Sequence, residues 1–406
     1  MIRSAFGKAV AKALRSQKRF YGASDGDGTQ HERVAAQMIQ YALGHARSQR
    51  SGQSYDEAML VLEQGVSNLR GGGEEGSVDA IGTIMLAMST LLYERGKLVD
   101  AMEKLEEIYL LASPSSAIRV AAWEGLMGLK MEAGQDATSL VLADDTPNST
   151  ALKLRANTIR GLADLLNGEI EPAKSFFEGF EDCNVEAGKE QVGNAMLSYG
   201  EFLHCTGNIL LAKDTYEKSL RALENENLSG TSYKAAANMV PEEALLGVSC
   251  ALGQLLSHSG KFNEAEELLT KALTKAEHHF GSSHPKVGII LTCIGLMFKQ
   301  KAKSESSSSI LVQEGLYRRA LDLLKAPTLN SEVTDPQGDK RDIVALARGG
   351  YAELLCIQQN RKEEGERMKK WAEAAWRNRR LSLAEALDFS EPSKAAVVDT
   401  RICRLL

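Results

Sequence analysis

The stretch HSGKFNEAEELLTKAL, residues 258–273, decides the fold of this chain because its spacing recurs three more times. It holds a glycine, an alanine five residues later, and a large apolar residue four positions further on. The same spacing occurs in ERGKLVDAMEKLEEI (94–108), LNGEIEPAKSFFEGF (166–180) and CTGNILLAKDTYEKSL (205–220). Four copies in phase predict an internal repeat rather than an isolated helical hairpin.

A pair of antiparallel helices explains this spacing. Glycine adopts a left-handed backbone conformation at no steric cost, so it suits the turn that ends a first helix. The alanine lets two helix axes approach closely, and the large apolar residue one turn later fills the groove beside it. Three copies have another glycine seven residues before the turn, and the first copy has Ser89 there. The repeat-signature residues are Gly96, Ala101, Gly161, Gly168, Ala173, Gly200, Gly207, Ala212, Gly253, Gly260 and Ala265.

The pattern resembles the tetratricopeptide repeat (TPR), in which two antiparallel helices pack through small residues at two fixed positions. Degenerate copies around Ala58, Gly134 and Gly295 fill the gaps, and a last pair begins near Ile343. The outer copies match poorly, as end repeats that face solvent often do. The resemblance implies an all-α fold, a TPR-like right-handed superhelix of about eight antiparallel helix pairs.

The stretch HHFGSSHPKVG, residues 278–288, places three histidines within seven positions and raises the question of a metal site. It resembles the connection between repeats in the longer, kinesin-light-chain-like form of the TPR. In that reading Gly281 ends one helix, Ser283 or His284 caps the next, and Pro285 lies in its first turn. Adjacent histidines on a helix point about 100° apart, and no cysteine or carboxylate lies at ligand spacing. We therefore predict neither a metal nor another cofactor.

The first 21 residues, MIRSAFGKAVAKALRSQKRFY, contain six basic residues and no acidic residue. Ile2, Phe6, Val10 and Leu14 recur every four residues, so a helix here would have an apolar face opposite a basic face. This looks like a mitochondrial presequence, and RFY resembles a matrix-processing site with cleavage after Tyr21. We therefore predict a mitochondrial protein of the matrix. An ordinary basic helix, a membrane-surface anchor and a plastid transit peptide are the alternatives.

Charge and motifs exclude several classes of function. Without the six basic residues of the first 21, 42 remain against 54 acidic residues, a net charge of −12 that disfavours nucleic acid as the main partner. The longest near-apolar run, residues 287–298, is shorter than the roughly 20 residues of a membrane-spanning helix, so no transmembrane segment is predicted. The phosphate-binding, nucleophile-elbow and zinc-protease motifs do not occur, and no GxGxxG follows a predicted strand. We therefore predict that the protein is not an enzyme.

The resemblance implies a concave channel lined by the first helices of the repeats, whose usual ligands are peptides or partner helices. Chaperone-binding TPR domains clamp a carboxylate with cations, and this face offers no such cluster. The predicted partner-binding positions are Arg155, Asn194, Leu197, Glu201, His204, Gln254, His258, Thr292, Lys299 and Gln300.

The predicted function is that of a mitochondrial scaffold or adaptor that assists assembly or maintenance of a multiprotein complex. The alternatives are a stable accessory subunit of a respiratory complex or mitochondrial ribosome, and an RNA-associated helical-repeat factor. This prediction rests on the predicted fold and on the predicted mitochondrial targeting segment. It does not rest on a chemical site.

The predicted domain organisation is a presequence (1–21), a linker (22–32), a repeat domain (33–382) and a C-terminal tail (383–406). Within the repeat domain, residues 361–380 hold eight basic and four acidic side chains together with two tryptophans. We interpret them as a capping helix. The alternative is a peripheral contact with a cardiolipin-rich membrane or with RNA.

Overall fold

The computed structural model describes residues 30–72, 77–135, 149–180, 192–229, 234–306, 309–329, 341–388 and 395–406. These ranges hold sixteen α-helices, two short 3₁₀ segments and one two-stranded antiparallel ladder. The presequence prediction and residues 22–29 of the predicted linker lie outside the described residues. Among the described residues, no helix combines the length and the apolar character needed to cross a bilayer.

The helices are α1 (Gln30–Gln49), α2 (Gly52–Gly72), α3 (Ser77–Glu94), α4 (Leu98–Ile108), α5 (Ser116–Glu132), α6 (Thr150–Leu166), α7 (Ile170–Phe177), α8 (Gly193–Cys205), α9 (Ile209–Ser229), α10 (Pro241–His258), α11 (Phe262–Phe280), α12 (Pro285–Glu305), α13 (Ile310–Leu323), α14 (Arg341–Ile357), α15 (Lys362–Ala375) and α16 (Leu383–Leu387). The 3₁₀ segments are Ala237–Met239 and Gln359–Arg361, and the strands are β1 (Val398–Asp399) and β2 (Arg404–Leu405).

Consecutive helices pack as pairs, which confirms the all-α, TPR-like fold. The pairs are α1 with α2, α3 with α4, α6 with α7, α8 with α9, α10 with α11, α12 with α13 and α14 with α15. Helix α5 takes the place of a first helix, and residues 136–148, which follow it closely in the sequence, lie outside the described ranges. The described residues therefore contain seven complete pairs and one further first helix.

The signature glycines serve two different purposes. Gly260 has φ of +72° at the turn between α10 and α11, where its N–H donates to the Ser257 carbonyl and the next N–H donates to Leu256. Gly96, Gly168 and Gly207 have φ of +74°, +81° and +81° at the corresponding turns. Glycine occupies position 200 for a steric reason, because a Cβ there would lie 2.6 Å from the ring of Tyr216. The large residue of the repeat thus occupies the space that the missing side chain leaves.

The superhelix closes on itself through contacts between distant repeats. Arg47 at the end of α1 donates to Glu242 at the start of α10, with 2.9 Å between Nη1 and Oε1. Arg379, after α15, donates to Asn167 at the turn after α6 at 3.3 Å. These pairs are 195 and 212 residues apart in the chain. Turns that belong to separate repeats therefore meet around an enclosed interior.

Two segments of the chain fill that interior, which we call the channel. The inner loop, residues 234–240, packs against α3, α5 and α10. The tail segment, residues 395–406, packs against α10 and α14 through its strands and reaches α8 with its side chains. The sequence assigned 383–406 to a tail outside the repeat domain. The structure instead places the tail segment inside it, because its apolar residues are enclosed by the first helices, with Val397, Ile402, Leu405 and Leu406 all 0% exposed.

Candidate partner-binding channel

The candidate site is the inner face of the superhelix, formed by the first helices of the repeats. The structure places all ten predicted partner-binding residues on α6, α8, α10 and α12, and none of the ten is exposed. The buried ones are Arg155, Leu197, Glu201, His204, Gln254 and Thr292, and the half-buried ones are Asn194, His258, Lys299 and Gln300. An outside partner therefore cannot reach most of these side chains while the channel is filled.

Arg401 of the tail segment lies in a pocket made by one side of α8. Its guanidinium donates to Asn194 Oδ1 at 2.9 Å, to Ser198 Oγ at 3.1 Å and to Glu201 Oε2 at 2.7 Å. Spacings of four and three residues place these acceptors on the same side of the helix. Asp399 also accepts from Arg401, at 2.8 Å. One guanidinium therefore faces two carboxylates.

Burial disfavours two charged carboxylates beside the single guanidinium in this pocket. Burial, with the neighbouring charge of Asp399, raises the pKa of Glu201 well above its ordinary value and outweighs the opposing effect of Arg401. A proton on Glu201 leaves one cation, Arg401, opposite one anion, Asp399. That arrangement avoids an uncompensated charge in a site from which water is excluded.

Gln254 of α10 holds the backbone of the tail segment. Its Oε1 accepts from the Val398 N–H at 2.8 Å, and its Nε2 donates to the Val398 carbonyl oxygen at 3.0 Å. The two bonds satisfy both backbone groups of one residue, as a neighbouring strand would. From the other side, Nη2 of Arg380 donates to the carbonyl oxygens of Ala395 and Leu406, at 2.5 and 2.8 Å.

A second buried ion pair lies beside the tail segment. Nζ of Lys286 lies 2.5 Å from Oε2 of Glu243, and it also donates to the Arg401 carbonyl oxygen at 3.4 Å. Burial raises the pKa of Glu243 to about 7, although Lys286 favours the charged carboxylate. The rings of Tyr93 and Phe280 lie 5.2 and 5.3 Å from Nζ, within reach of a cation–π contact. The lysine therefore joins α10, α12 and the tail segment.

The inner loop occupies the N-terminal half of the channel. Nδ2 of Asn238 donates to Glu132 of α5 at 3.2 Å, and the Ala237 N–H donates to Thr90 of α3 at 3.0 Å. A Cβ on Gly128 would lie 2.4 Å from the Asn238 side chain, so α5 carries a glycine where the loop crosses it. Arg155, bonded to Glu124 through Nε at 3.0 and 3.1 Å, also donates to the loop.

His204 of α8, which is buried, and His258 of α10, which is half-buried, form a hydrogen-bonded pair. Nε2 of His204 lies 2.9 Å from Nδ1 of His258. Burial lowers the pKa of His258 to about 4, and burial together with the neighbouring His258 and Arg380 lowers the pKa of His204 well below its ordinary value. Both rings are therefore neutral at pH 7, with one nitrogen donating and the other accepting.

The remaining predicted positions connect neighbouring first helices or lie in the core. Lys299 of α12 pairs with Glu353 of α14 at 2.5 Å, and Gln300 accepts from the Ser257 hydroxyl at 2.7 Å. The Thr292 hydroxyl donates within its own helix. Leu197 is fully buried. In this structure these positions serve the packing of the repeats.

The histidine-rich connection joins α11 to α12. Gly281 ends α11 with φ of +93°, and Nδ1 of His284 accepts from the Lys286 backbone N–H at 3.2 Å in the first turn of α12. The ring of His284 stacks on Phe280, with 4.8 Å between the centroids. Within the described ranges, no cluster of three or more His, Cys, Asp or Glu side chains is arranged to hold a metal ion. The histidine at 284 therefore acts as a helix cap.

The basic segment 361–380 places its tryptophans against the repeat. The guanidinium of Arg348 lies 3.8 Å from the ring centroid of buried Trp371, and Nε1 of Trp376 donates to the Leu381 carbonyl oxygen at 2.7 Å. The exposed charges of α15 are of both signs: Lys362, Glu363, Glu366, Arg367, Lys369, Lys370 and Glu373. A membrane contact here would therefore depend on mixed surface charge, without an inserted tryptophan.

Several residues that organise the channel were not found from the sequence: Glu132, Glu243, Lys286, Asp399 and Arg401. For Asp399 and Arg401 the signal was the composition of the tail segment, AAVVDTRICRLL, in which apolar residues outnumber polar ones. A solvated tail is normally polar, so this composition favours burial. No spacing rule, however, connects the tail segment to α8.

The fold and the channel define an all-α helical-repeat protein whose inner face holds a short β-hairpin from the same chain. Residues 250–286 match the family model of the tetratricopeptide repeat, so the chain contains a tetratricopeptide repeat. The match extends from α10 through α11 to the first turn of α12 and includes Gly253, Gly260 and Ala265. No curated protein sequence matches the chain.

Two solved structures have a distant likeness to the chain. A Rap protein in complex with Competence and Sporulation Factor is 10% identical, with 85% of this chain and 78% of that chain covered, at a TM-score of 0.45. Yeast Tom70 is 13% identical, with 88% of this chain and 96% of that chain covered, at a TM-score of 0.17. Likenesses at these scores carry no argument about function.

Proposed function

We propose that this protein is a non-enzymatic scaffold that binds other proteins and assists the assembly or maintenance of a multiprotein complex in the mitochondrial matrix. The observation that carries the proposal is the channel, which holds the β-hairpin of the tail segment by its backbone through Gln254 and by a side chain through the α8 pocket. A repeat array that binds a segment in this way has the chemistry of a recognition surface. The proposed localisation in the matrix rests on the basic, amphipathic pattern of residues 1–21.

Native gel migration of the endogenous protein, with mass spectrometry of what co-migrates, tests this proposal. An antibody, or an epitope inserted within residues 331–339, is preferable to a C-terminal tag because the tail segment is buried. We expect co-migration with several proteins in the matrix fraction. Migration of all the protein as a free monomer, with no partner recovered after crosslinking, would exclude a scaffold.

The same experiment separates the proposed roles. Stoichiometric co-migration with a respiratory complex or ribosome would identify an accessory subunit, and substoichiometric contact would identify an assembly factor. Recovery of RNA instead of protein after crosslinking would identify an RNA-associated factor, against the acidic net charge.

A further inference from the structure

We propose that the channel is a binding site for a short β-hairpin with an arginine in its turn and aliphatic residues in its strands, and that the tail segment, which forms such a hairpin, occupies this site until a partner's hairpin replaces it. The inference rests on the proposed function, because it names the chemistry of the partner. Two features of the channel carry it: a pocket shaped for a guanidinium, and a clamp for an extended backbone.

The acceptor groups of the pocket on α8 match the geometry of a guanidinium. Asn194, Ser198 and Glu201 present three acceptor oxygens within 3.1 Å of the guanidinium nitrogens of Arg401, and the Asn194 carbonyl oxygen adds a fourth at 3.3 Å. These acceptors contact two different nitrogens, Nη1 and Nη2. A planar guanidinium reaches them together, whereas the single ammonium of a lysine does not.

The clamp selects conformation rather than sequence. Gln254 binds both the N–H and the carbonyl oxygen of Val398, and only an extended residue offers the two groups side by side. Arg401 follows three residues later, with aliphatic residues on both sides of this core. A partner hairpin with two aliphatic residues before its turn, an arginine three positions after the second, and aliphatic residues in its returning strand would make the same contacts.

Covalent attachment explains why the tail segment stays bound in the channel in competition with a free segment. A tethered ligand has an effective concentration on the order of millimolar, which a free segment of equal affinity does not reach. Residues 389–394 join α16 to the tail segment in the sequence. Cutting this connection removes the advantage of the tether without changing any residue of the tail segment.

The test uses the full chain with a protease recognition sequence in place of residues 389–394. The probe is a fluorescent peptide of sequence AAVVDTRICRLL, kept under reducing conditions and followed by fluorescence anisotropy. We expect no binding before cleavage and exchange of the peptide for the native segment after it. The peptide with Arg401→Ala should bind at least about tenfold more weakly, since it lacks several hydrogen bonds from a charged group. The peptide with Thr400→Val is the matched control, because valine keeps the shape of this buried side chain and the Thr400 hydroxyl has no hydrogen-bond partner among the described residues; it should bind as well as the parent peptide.

Three results would overturn the inference. A cleaved protein that retains its own segment and takes up no peptide over days would show that the segment is a permanent part of the core. Release of the segment with loss of the helical circular dichroism signal would show that the channel does not exist without it. Equal binding of the Arg401→Ala peptide would show that the pocket does not select arginine.

The peptide-exchange experiment can contradict this inference without contradicting the proposed function, and the co-migration experiment can do the reverse. Partners found by co-migration, together with no peptide exchange, would leave a scaffold that uses another surface. Peptide exchange without any cellular partner would support the binding site and would contradict the proposed scaffold function.

Discussion

Nη2 of Arg401 lies 2.7 Å from Oε2 of Glu201, two residues 200 positions apart whose side chains are at most 1% exposed. The contact joins the tail segment to α8 in the middle of the superhelix. Because the first helices surround it, the contact links the stability of several repeats to residues 395–406. Its removal should therefore affect the whole fold.

Replacing Arg401 with alanine should strongly destabilise the protein. The change leaves Asp399 as a buried anion without its cation, a loss of about 3–5 kcal/mol in the free energy of unfolding. Urea denaturation at pH 7, followed by circular dichroism, measures the loss. Exposed Arg377 is the matched control, and its alanine variant should stay within about 0.5 kcal/mol of the parent. Equal stabilities of the two variants would contradict a structural role for the buried arginine.

Replacing Glu201 with glutamine should be much milder. Burial raises the pKa of Glu201 well above its ordinary value and so favours the protonated carboxyl in the folded protein, and an amide oxygen can still accept from Arg401. We expect a loss of no more than about 1.5 kcal/mol, the usual contribution of one hydrogen bond. The same urea titration reports it. A loss as large as that of Arg401→Ala would show instead that Glu201 is charged in the folded protein.

Adding one methyl group at Gly200 should disturb the packing of α8 on α9. A Cβ there would lie 2.6 Å from the ring of Tyr216, and overpacking of this kind costs about 1–3 kcal/mol. Gly315 in α13 is the matched control, because a Cβ there meets nothing within 4 Å. Gly315→Ala should stabilise the protein by about 0.5–1 kcal/mol, since alanine is the better helix former. Thermal denaturation of the two variants should therefore shift in opposite directions.

The neutral histidine pair should make the protein sensitive to acid. Burial lowers the pKa of His258 to about 4 from an ordinary value of 6.5, so between these pH values the unfolded chain binds a proton that the folded chain does not. The contribution of this histidine to stability is therefore present above pH 6.5 and is lost as the pH falls toward 4, by about 1.4 kcal/mol per pH unit.

A comparison of variants isolates this effect. Burial raises the pKa of Glu243 to about 7, so that group changes stability in the opposite direction between pH 7 and its ordinary value of 4.5. The measurement is therefore the difference in unfolding free energy between pH 7 and pH 5 for the parent and for His258→Gln. The variant should lose about 2 kcal/mol less than the parent. An unchanged difference would mean that His258 is already exposed to protons in the folded state.

Much of the fold follows from the spacing of small and large residues. Gly260 and Ala265 predict a turn and a close helix contact within about fifteen residues, and such local relationships are readable because the helix period fixes which side chains share a face. His284 and Pro285 were likewise interpretable as the start of a helix, since a cap and a first-turn proline act within a few residues.

The contacts within the channel were harder to predict from the sequence than the helix pairs. The ten predicted positions lie on the first helices, yet the residue that fills the α8 pocket comes from the predicted tail. In the sequence, Lys286 directly precedes the near-apolar run 287–298. In the structure its side chain is 1% exposed and forms an ion pair with Glu243. Neither relationship has a characteristic spacing, because the partners are 43 to more than 200 residues apart.

By itself, the sequence determined the helix pairs, their turns and the small residues at their contacts, because each depends on neighbours within one repeat. Only the tertiary structure decided that the superhelix closes and that its interior holds the inner loop and the tail segment. That decision depends on burying apolar surface and matching buried charges between distant parts of the chain, which local periodicity does not encode.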